Sequence, residues 1–167
     1  MIIGSHDTAR RPLLIAEIGN NHEGDPGQAL ELVEAAMESG ADAVKAQIID
    51  PARLVNVAQT ERIAQLTRFR LPHDVFLKMA ERVRARGGLF LASVFDCQTL
   101  AAVQGDLDAI KIASGDLDFD PLLEVAAASG RPIILSTGMS TLAEIVRAVD
   151  VIGTRVGAHA PLAERLA

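Results

Sequence analysis

Short apolar runs alternate with amphipathic stretches along most of the chain. Five runs dominated by Leu, Ile, Val and Ala are each followed by a segment with helical spacing of apolar residues. The runs are LLIAEI (13–18), ADAVKAQI (41–48), LFLASVF (89–95), DAIKIAS (108–114) and PIILST (132–137). Strands that alternate strictly with helices are typical of parallel βα units, so the pattern predicts an α/β fold.

Helix ends can be recognised between the runs. Asp25 is placed to cap a helix that has Pro26 in its first turn and Gly40 after its last. Thr141 and Glu144 have the spacing of a capping box, which predicts another helix start. These signals place a helix after the first and after the last of the apolar runs.

One stretch, residues 51–71, breaks the alternation with mixed polar residues and no clean period. It is either a long functional loop or a short extra helix over one end of the sheet. The predicted organisation is an N-terminal extension at 1–12, a βα domain at 13–152 and a C-terminal tail at 153–167.

Three charged residues interrupt the apolar strands: Glu17, Lys45 and Lys111. Strands buried on both faces should be nearly continuous in apolar residues, and a buried charge needs a partner. Alternation places Lys45 and Gln47 on one face of their strand, opposite Val44 and its neighbours. If the aliphatic face packs on helices, the lysines point to the interior of a curved or closed sheet.

Polar residues also gather where the predicted strands end. Ser93, Ser114 and Asp116 lie at the carboxyl ends of two further strands, the edge where parallel α/β folds bind ligands. Each lysine alone could be a structural ion-pair partner, and Ser or Thr at a strand end is often a helix cap. Taken together, the lysines, serines and backbone amides suit an anion such as phosphate or carboxylate, and Glu17 could stabilise positive charge or move a proton.

Composition excludes several classes of function. Hydrophobic residues make up 49% of the 167 residues, the formal net charge is −6, and Trp and Tyr are absent. Nucleic-acid binding is disfavoured by this charge and by the scarcity of aromatic rings. No apolar run approaches the roughly 20 residues that span a membrane, and no secretory signal is evident, which favours a cytoplasmic protein. The single cysteine, Cys97, is expected to be a half-buried helix residue.

Five motifs in order, IAEIGNNHEG, GADAVKAQ, LASVFD, IKIASGDL and PIILSTGMSTLAEI, resemble the sialic acid synthase family over about residues 12–150. The resemblance implies a TIM-type (β/α)8 barrel, of which this chain would supply about five βα units, followed in the family by a small antifreeze-like domain and a domain-swapped dimer. It implies condensation of phosphoenolpyruvate with an open-chain N-acetylated amino sugar of the N-acetylmannosamine type, giving a nonulosonic acid. Phosphate leaves by C–O cleavage, and a divalent metal, Mn or Mg, orients the sugar aldehyde.

The resemblance also assigns roles to residues. Glu17 matches the catalytic glutamate, which stabilises positive charge on the enolpyruvyl carbon. The matches to phosphoenolpyruvate ligands are Lys45, Ser93, Lys111 and Ser114. Gln47 and Asp116 match residues near the acceptor sugar, and the polar cluster Asn20, Asn21 and His22 is expected at the mouth of the site.

The chain departs from the family pattern at a few positions. Asp116 replaces a Glu, Ser93 replaces a Thr, and Ala46 stands where Phe is usual, which is expected to thin a wall of the site. The family's metal-binding histidines lie beyond the fifth strand, so no metal ligand is predicted here, and His159 is interpreted as an ordinary exposed residue.

Five strands do not close an eight-stranded barrel, so exposed sheet edges are expected to favour a homo-oligomer or a complementing chain. A truncated or frameshifted product, a split enzyme and a self-assembling half-barrel all fit this length. Two alternative functions stay open: a non-catalytic half-barrel that binds an anionic metabolite or a protein partner, and a Schiff-base aldolase that uses a strand lysine.

Overall fold

A five-stranded parallel sheet forms the centre of the protein. The computed structural model describes residues 2–155. A short antiparallel hairpin, β1 (Ile2–Ile3) and β2 (His6–Asp7), precedes the sheet. The sheet strands are β3 (Ile15–Gly19), β4 (Ala43–Ile48), β5 (Leu89–Val94), β6 (Ala109–Ile112) and β7 (Ile133–Leu135). They lie side by side in chain order and all run parallel. This order, without a reversal, is that of a partial TIM-type barrel, as predicted.

Helices follow each of these strands. They are α1 (Pro26–Glu38), α2 (Pro51–Leu54), α3 (Thr60–Thr67), α4 (His73–Ala85), α5 (Cys97–Val103), α6 (Asp120–Ala128) and α7 (Leu142–Arg155), with 3-10 turns at Gln104–Asp106 and Ser114–Asp116. The predicted caps are confirmed. The Asp25 carboxylate accepts a hydrogen bond from the Gln28 amide at 2.9 Å, and Thr141 and Glu144 bond reciprocally.

Residues 51–71, for which the sequence allows a loop or an extra helix, contain two short helices. α2 begins after Asp50, whose carboxylate accepts from the Ala52 amide at 3.2 Å. In α3, Leu66 is the buried residue, so this helix contributes little to the core. The segment therefore sits outside the regular alternation, as the mixed polar sequence indicated.

The two faces of the sheet have different neighbours. On the outer face, Val44, Ala46 and Ile48 of β4 pack with the helices in one continuous core. On the inner face, Ala43, Leu89 and other apolar residues form a second, smaller cluster towards the amino ends of the strands. Lys45 and Gln47 lie on this inner face beyond that cluster, which confirms the faces predicted from alternation.

The N-terminal hairpin fills the amino end of the inner face. Ile3 is 1% exposed and packs in the cluster with Ala43, Leu91 and Ala109. The sequence does not predict this hairpin within residues 1–12, because two-residue strands leave no recognisable period. The hairpin closes the bottom of the inner face, so access is from the carboxyl ends of the strands.

The last helix crosses the predicted domain boundary. α7 continues to Arg155, whereas the predicted tail begins at residue 153. His159 lies outside the described residues. Within residues 2–155, no helix has both the length and the apolar character needed to cross a membrane.

The loop after β3 packs tightly on the segment that precedes α4. Gly24 has φ +85°, and a Cβ atom placed there would stand 1.9 Å from the carbonyl oxygen of Arg68. This position requires glycine both for its left-handed backbone and for the close approach. The contact fixes the first βα loop against residues 51–71 at the carboxyl end of the sheet.

We expect Gly24→Ala to lower the free energy of unfolding by about 2–5 kcal/mol, combining left-handed strain with overpacking against Arg68. Gly40→Ala is the matched control, because Gly40 has φ +89° and nothing within 4 Å of its hypothetical Cβ. That control should lose about 1–2 kcal/mol through strain alone. Urea unfolding of both variants measures the difference, and equal losses would show that the Arg68 contact is unimportant.

Candidate active site

Glu17 and Lys45 lie opposite each other on neighbouring strands. Their Cα atoms are paired in the β3–β4 register, and the Lys45 ammonium forms an ion pair with the Glu17 carboxylate. Lys45 also donates to Ser93 Oγ at 3.2 Å. The side chain of Lys45 is 12% exposed and that of Glu17 is 48% exposed. The interpretation of Glu17 as a buried carboxylate is therefore wrong. β3 is an edge strand of the sheet, so no further strand covers Glu17 on that side.

Lys111 lies nearer the carboxyl ends of the strands than Lys45 does, by one inward-facing position. Strand register places it beside Ser93, which is in turn paired with Gln47. Its ammonium donates to the carbonyl of Ile112. Burial lowers the pKa of Lys111, the charge of Lys45 lowers it further, and Glu17 and Asp116 act in the opposite direction. The inner face therefore brings two cations close enough to influence each other.

Ser114 and Asp116 lie on the 3-10 turn that follows β6. Burial raises the pKa of the Asp116 carboxyl, and the charge of Asp118 adds to this, while Lys111 opposes it. Its Oδ2 atom is buried without a hydrogen-bond partner among the described residues. Ser114 faces the next loop, with its Oγ 3.6 Å from the position of a Cβ at Gly138. This turn thus offers a hydroxyl and a carboxyl at the same edge as the lysines.

The first βα loop contributes one side chain directly to the inner face. Asn20 Nδ2 donates to Gln47 Oε1 at 2.8 Å, while Asn21 is exposed. His22, which is expected at the mouth of the site, is completely buried within this loop. Its Nδ1 atom accepts from the Gly24 amide at 3.0 Å, and burial lowers its pKa, so at neutral pH it is an uncharged residue that shapes the loop.

Two features of the site differ from the sequence interpretation. Ala46 faces the helices rather than the inner face and is buried in the outer core, so it cannot thin a wall of the site. The register between β3 and β4 shifts between Glu17 and Gly19, an irregularity that was not predicted. A glycine within a strand is the sequence signal for such an irregularity, and Gly19 adopts φ +50° here. The shift places Gly19 next to both Glu17 and Gln47.

The implied divalent metal does not fit the described residues. Among residues 2–155, no three or more His, Cys, Asp or Glu side chains are grouped as a metal ion would require. Glu17 is paired with Lys45, and Asp116 lies near Lys111.

Comparison with known proteins shows the family to which the chain belongs. The sequence model of the NeuB family matches residues 32–164, most of the chain. The chain belongs to the NeuB family. The matched range includes both inner-face lysines, begins after Glu17, and extends beyond residue 152.

Several relatives of this chain carry the names of nonulosonic acid synthases. The N,N'-diacetyllegionaminic acid synthase of Legionella pneumophila is 35% identical over 153 residues, which cover 83% of this chain and 43% of the relative. The N-acetylneuraminate-9-phosphate synthase of Homo sapiens is 27% identical over 152 residues, with 83% and 42% covered. The solved N-acetylneuraminic acid synthetase of Leptospira borgpetersenii serovar Hardjo-bovis superposes with a TM-score of 0.80 at 32% identity, covering 86% of this chain and 50% of that one. The NeuB-family chain thus spans about half the length of these proteins.

We expect Lys45→Met to raise the pKa of Lys111, because it removes the nearby like charge. The pKa should remain below 10.5, since burial is the larger cause of its depression. A lowered folded-state pKa means that the unfolded chain binds this proton more tightly, so the free energy of unfolding rises with pH between the depressed pKa and 10.5. Lys45→Met should reduce that rise.

NMR titration of the Lys111 side-chain resonances measures this pKa directly. Lys78→Met is the control, because Lys78 is exposed and pairs with Asp74 on the same helix. An unchanged Lys111 pKa in Lys45→Met would show that the two lysines do not interact.

Proposed function

We propose that this chain carries the phosphoenolpyruvate-binding part of a nonulosonic acid synthase, which condenses phosphoenolpyruvate with an N-acetylated amino sugar. The observation that carries the proposal is the polar layer on the inner face, where Lys45, Ser93 and Lys111 lie on three neighbouring parallel strands and Ser114 begins the turn after β6. Names of the NeuB-family relatives support the product class. The amino-sugar substrate, of the N-acetylmannosamine type, is part of the proposal.

The charge pattern of the layer suits a ligand with two anionic groups. Lys45 is already paired with Glu17, whereas the hydrogen bond of Lys111 within residues 2–155 goes to a backbone carbonyl. Phosphoenolpyruvate carries a carboxylate and a phosphate, so the two ammonium groups and the serine hydroxyls can each bind an anionic oxygen. Ligand binding would also relieve the repulsion that lowers the pKa of Lys111.

In the proposal, Glu17 acts on the enolpyruvyl carbon of a ligand held by Lys45, its ion-pair partner. In C–O cleavage, phosphate leaves with its bridging oxygen, the methylene carbon of phosphoenolpyruvate forms the new bond to the sugar aldehyde carbon, and a water oxygen replaces the one lost. The two protons of that water go to the former aldehyde oxygen and to the departing phosphate. Positive charge develops on the carbon that bore the phosphate. A carboxylate next to that carbon stabilises the charge electrostatically.

The acceptor side of the proposed site is formed by Gln47 and Asp116. Burial raises the pKa of the Asp116 carboxyl, and its Oδ2 atom, buried without a partner among the described residues, can accept a hydrogen bond from the sugar. The proposal also includes a cytoplasmic location, a homo-oligomer or a complementing chain, and a divalent metal whose ligands come from outside residues 2–155.

Lysine substitution tests the phosphoenolpyruvate site. We expect Lys45→Met and Lys111→Met each to weaken phosphoenolpyruvate binding by roughly 10- to 150-fold, the value of a charge-assisted hydrogen bond of about 1.5–3 kcal/mol. Isothermal titration calorimetry of the full chain measures the dissociation constants.

Lys78→Met is again the control, since it removes the same charge from the outer surface. The chain has three lysines, so these variants cover all of them. Equal affinity in all three variants, or no binding by the parent chain, would contradict the proposal.

A second candidate, a Schiff-base aldolase, is favoured by one observation. Burial and the charge of Lys45 lower the pKa of Lys111, which raises the fraction of nucleophilic free amine. In that reaction the amine would attack a ketone carbonyl and release water.

Pyruvate with sodium borohydride discriminates between the two functions. A reduced adduct on Lys111, detected by peptide mass spectrometry and lost in Lys111→Met, would support the aldolase. We expect no adduct, because the Lys111 ammonium is held by the Ile112 carbonyl and bound anions favour its charged form.

A further inference from the structure

We infer that Asn20 fixes the direction in which Gln47 presents its side-chain amide to the acceptor substrate, and so acts as a specificity-determining residue. The inference rests on the proposed function, since the position of Gln47 beside the acceptor belongs to that proposal. Asn20 would act through Gln47 rather than by contact with the reacting atoms, so it is a positioning residue.

The geometry at the end of β3 defines the orientation of Gln47. Asn20 directly follows the strand and donates from Nδ2 to Gln47 Oε1 at 2.8 Å. A Cβ placed on Gly19 would stand 3.4 Å from Glu17 Oε1 and 3.8 Å from Gln47 Nε2. The oxygen of the Gln47 amide is therefore held by Asn20, and its NH2 group lies on the side of Gly19 and Glu17.

Burial favours this arrangement over its reverse. The two side-chain amides could also pair in the reverse sense, with Gln47 Nε2 donating to Asn20 Oδ1. Each amide group would then be rotated by 180°. In the structure, Asn20 Oδ1 is buried without a partner among the described residues. In the reverse arrangement a buried NH2 group would take that place, and orphaned N–H donors are rarer than under-satisfied carbonyl oxygens. Asn20 therefore selects one of the two orientations.

This orientation has a consequence for recognition. Because Asn20 holds the oxygen of Gln47, the N–H donors of its NH2 group are left to face a substrate, and the oxygen keeps a single lone pair. Lys111, two strands away at the same level of the sheet, is also a donor. The inner face at this level is thus complementary to acceptor oxygens, such as the acetamido carbonyl or a hydroxyl oxygen of an amino sugar. A Gln47 turned the other way would favour a substrate donor instead.

Neutral variants of the full chain test this coupling. Asn20→Leu removes the donor that holds Gln47, Gln47→Met removes the amide itself, and the double variant removes both. Asn56→Leu is the control, because Asn56 is an exposed residue whose side chain bonds to the nearby Ala58 amide. Calorimetry measures binding of phosphoenolpyruvate, and then of N-acetylmannosamine with phosphoenolpyruvate at saturation. Thermal unfolding shows that each variant is folded.

We expect Asn20→Leu and Gln47→Met each to weaken N-acetylmannosamine binding by roughly three- to tenfold, the value of one hydrogen bond of about 0.5–1.5 kcal/mol. The double variant should be no weaker than Gln47→Met, since residues that act as one unit are not additive. Phosphoenolpyruvate affinity should change less than twofold. Unchanged or additive sugar affinities, or a parent chain that binds phosphoenolpyruvate but not the sugar, would overturn the inference alone. A parent chain that fails to bind phosphoenolpyruvate would contradict the proposed function.

Side-chain amide NMR tests the orientation without any substrate. The NH2 signals of Asn20 and Gln47 are assigned by their loss in the two single variants. We expect slow hydrogen exchange for Asn20, whose Nδ2 is bonded, and fast exchange for Gln47, whose oxygen rather than nitrogen takes part in the pair. Slow exchange for Gln47 with fast exchange for Asn20 would overturn the inference.

Discussion

The ion pair between Glu17 and Lys45 is the interaction on which the polar layer of the inner face depends. Lys45 is largely buried, and Lys111 is near enough for the charge of Lys45 to lower its pKa. The two ammonium groups repel each other, and a nearby carboxylate offsets part of this repulsion. Glu17 supplies that carboxylate from the neighbouring strand, so the layer can hold two cations and still fold. The structural role and the proposed catalytic role of Glu17 thus follow from the same position.

The apolar part of the sheet determines where this layer can lie. The outer face is buried under the helices, and the N-terminal hairpin fills the amino end of the inner face with Ile3. Only the carboxyl ends of the inner face remain for polar side chains, where parallel strands all finish together. The close approach of Gly24 to Arg68 then fixes the first loop at this edge. Because Asn20 belongs to that loop, the orientation of Gln47 is coupled to a packing contact at Gly24.

The sequence predicted the scaffold well because its signals are local and periodic. Alternating faces located Lys45, Gln47 and Lys111 correctly, and short-range capping patterns located the starts of α1 and α7. What escaped prediction depends on tertiary contacts. The hairpin is too short for a period, and the register shift at Gly19 exists only relative to β4. The exposure of Glu17 depends on which strands flank β3, and the burial of His22 depends on how its loop folds back. The family resemblance placed Ala46 at a wall of the site, although the alternation of faces along β4 predicts the helix side for it.

The unequal exposure of Glu17 and Lys45 bears on how the site could work. A carboxylate that is nearly half exposed interacts with its partner partly through water, which weakens its electrostatic effect. Stabilising a developing positive charge requires the opposite condition, a carboxylate shielded from solvent. Lys45 is already shielded by Ser93 and the surrounding strands, so it can hold an anion against the inner face before any covering occurs. A ligand bound there would itself displace water from Glu17. Anion binding would therefore create the low-dielectric surroundings that the proposed role of Glu17 requires, and the order of events in the proposal is anion first, acceptor second.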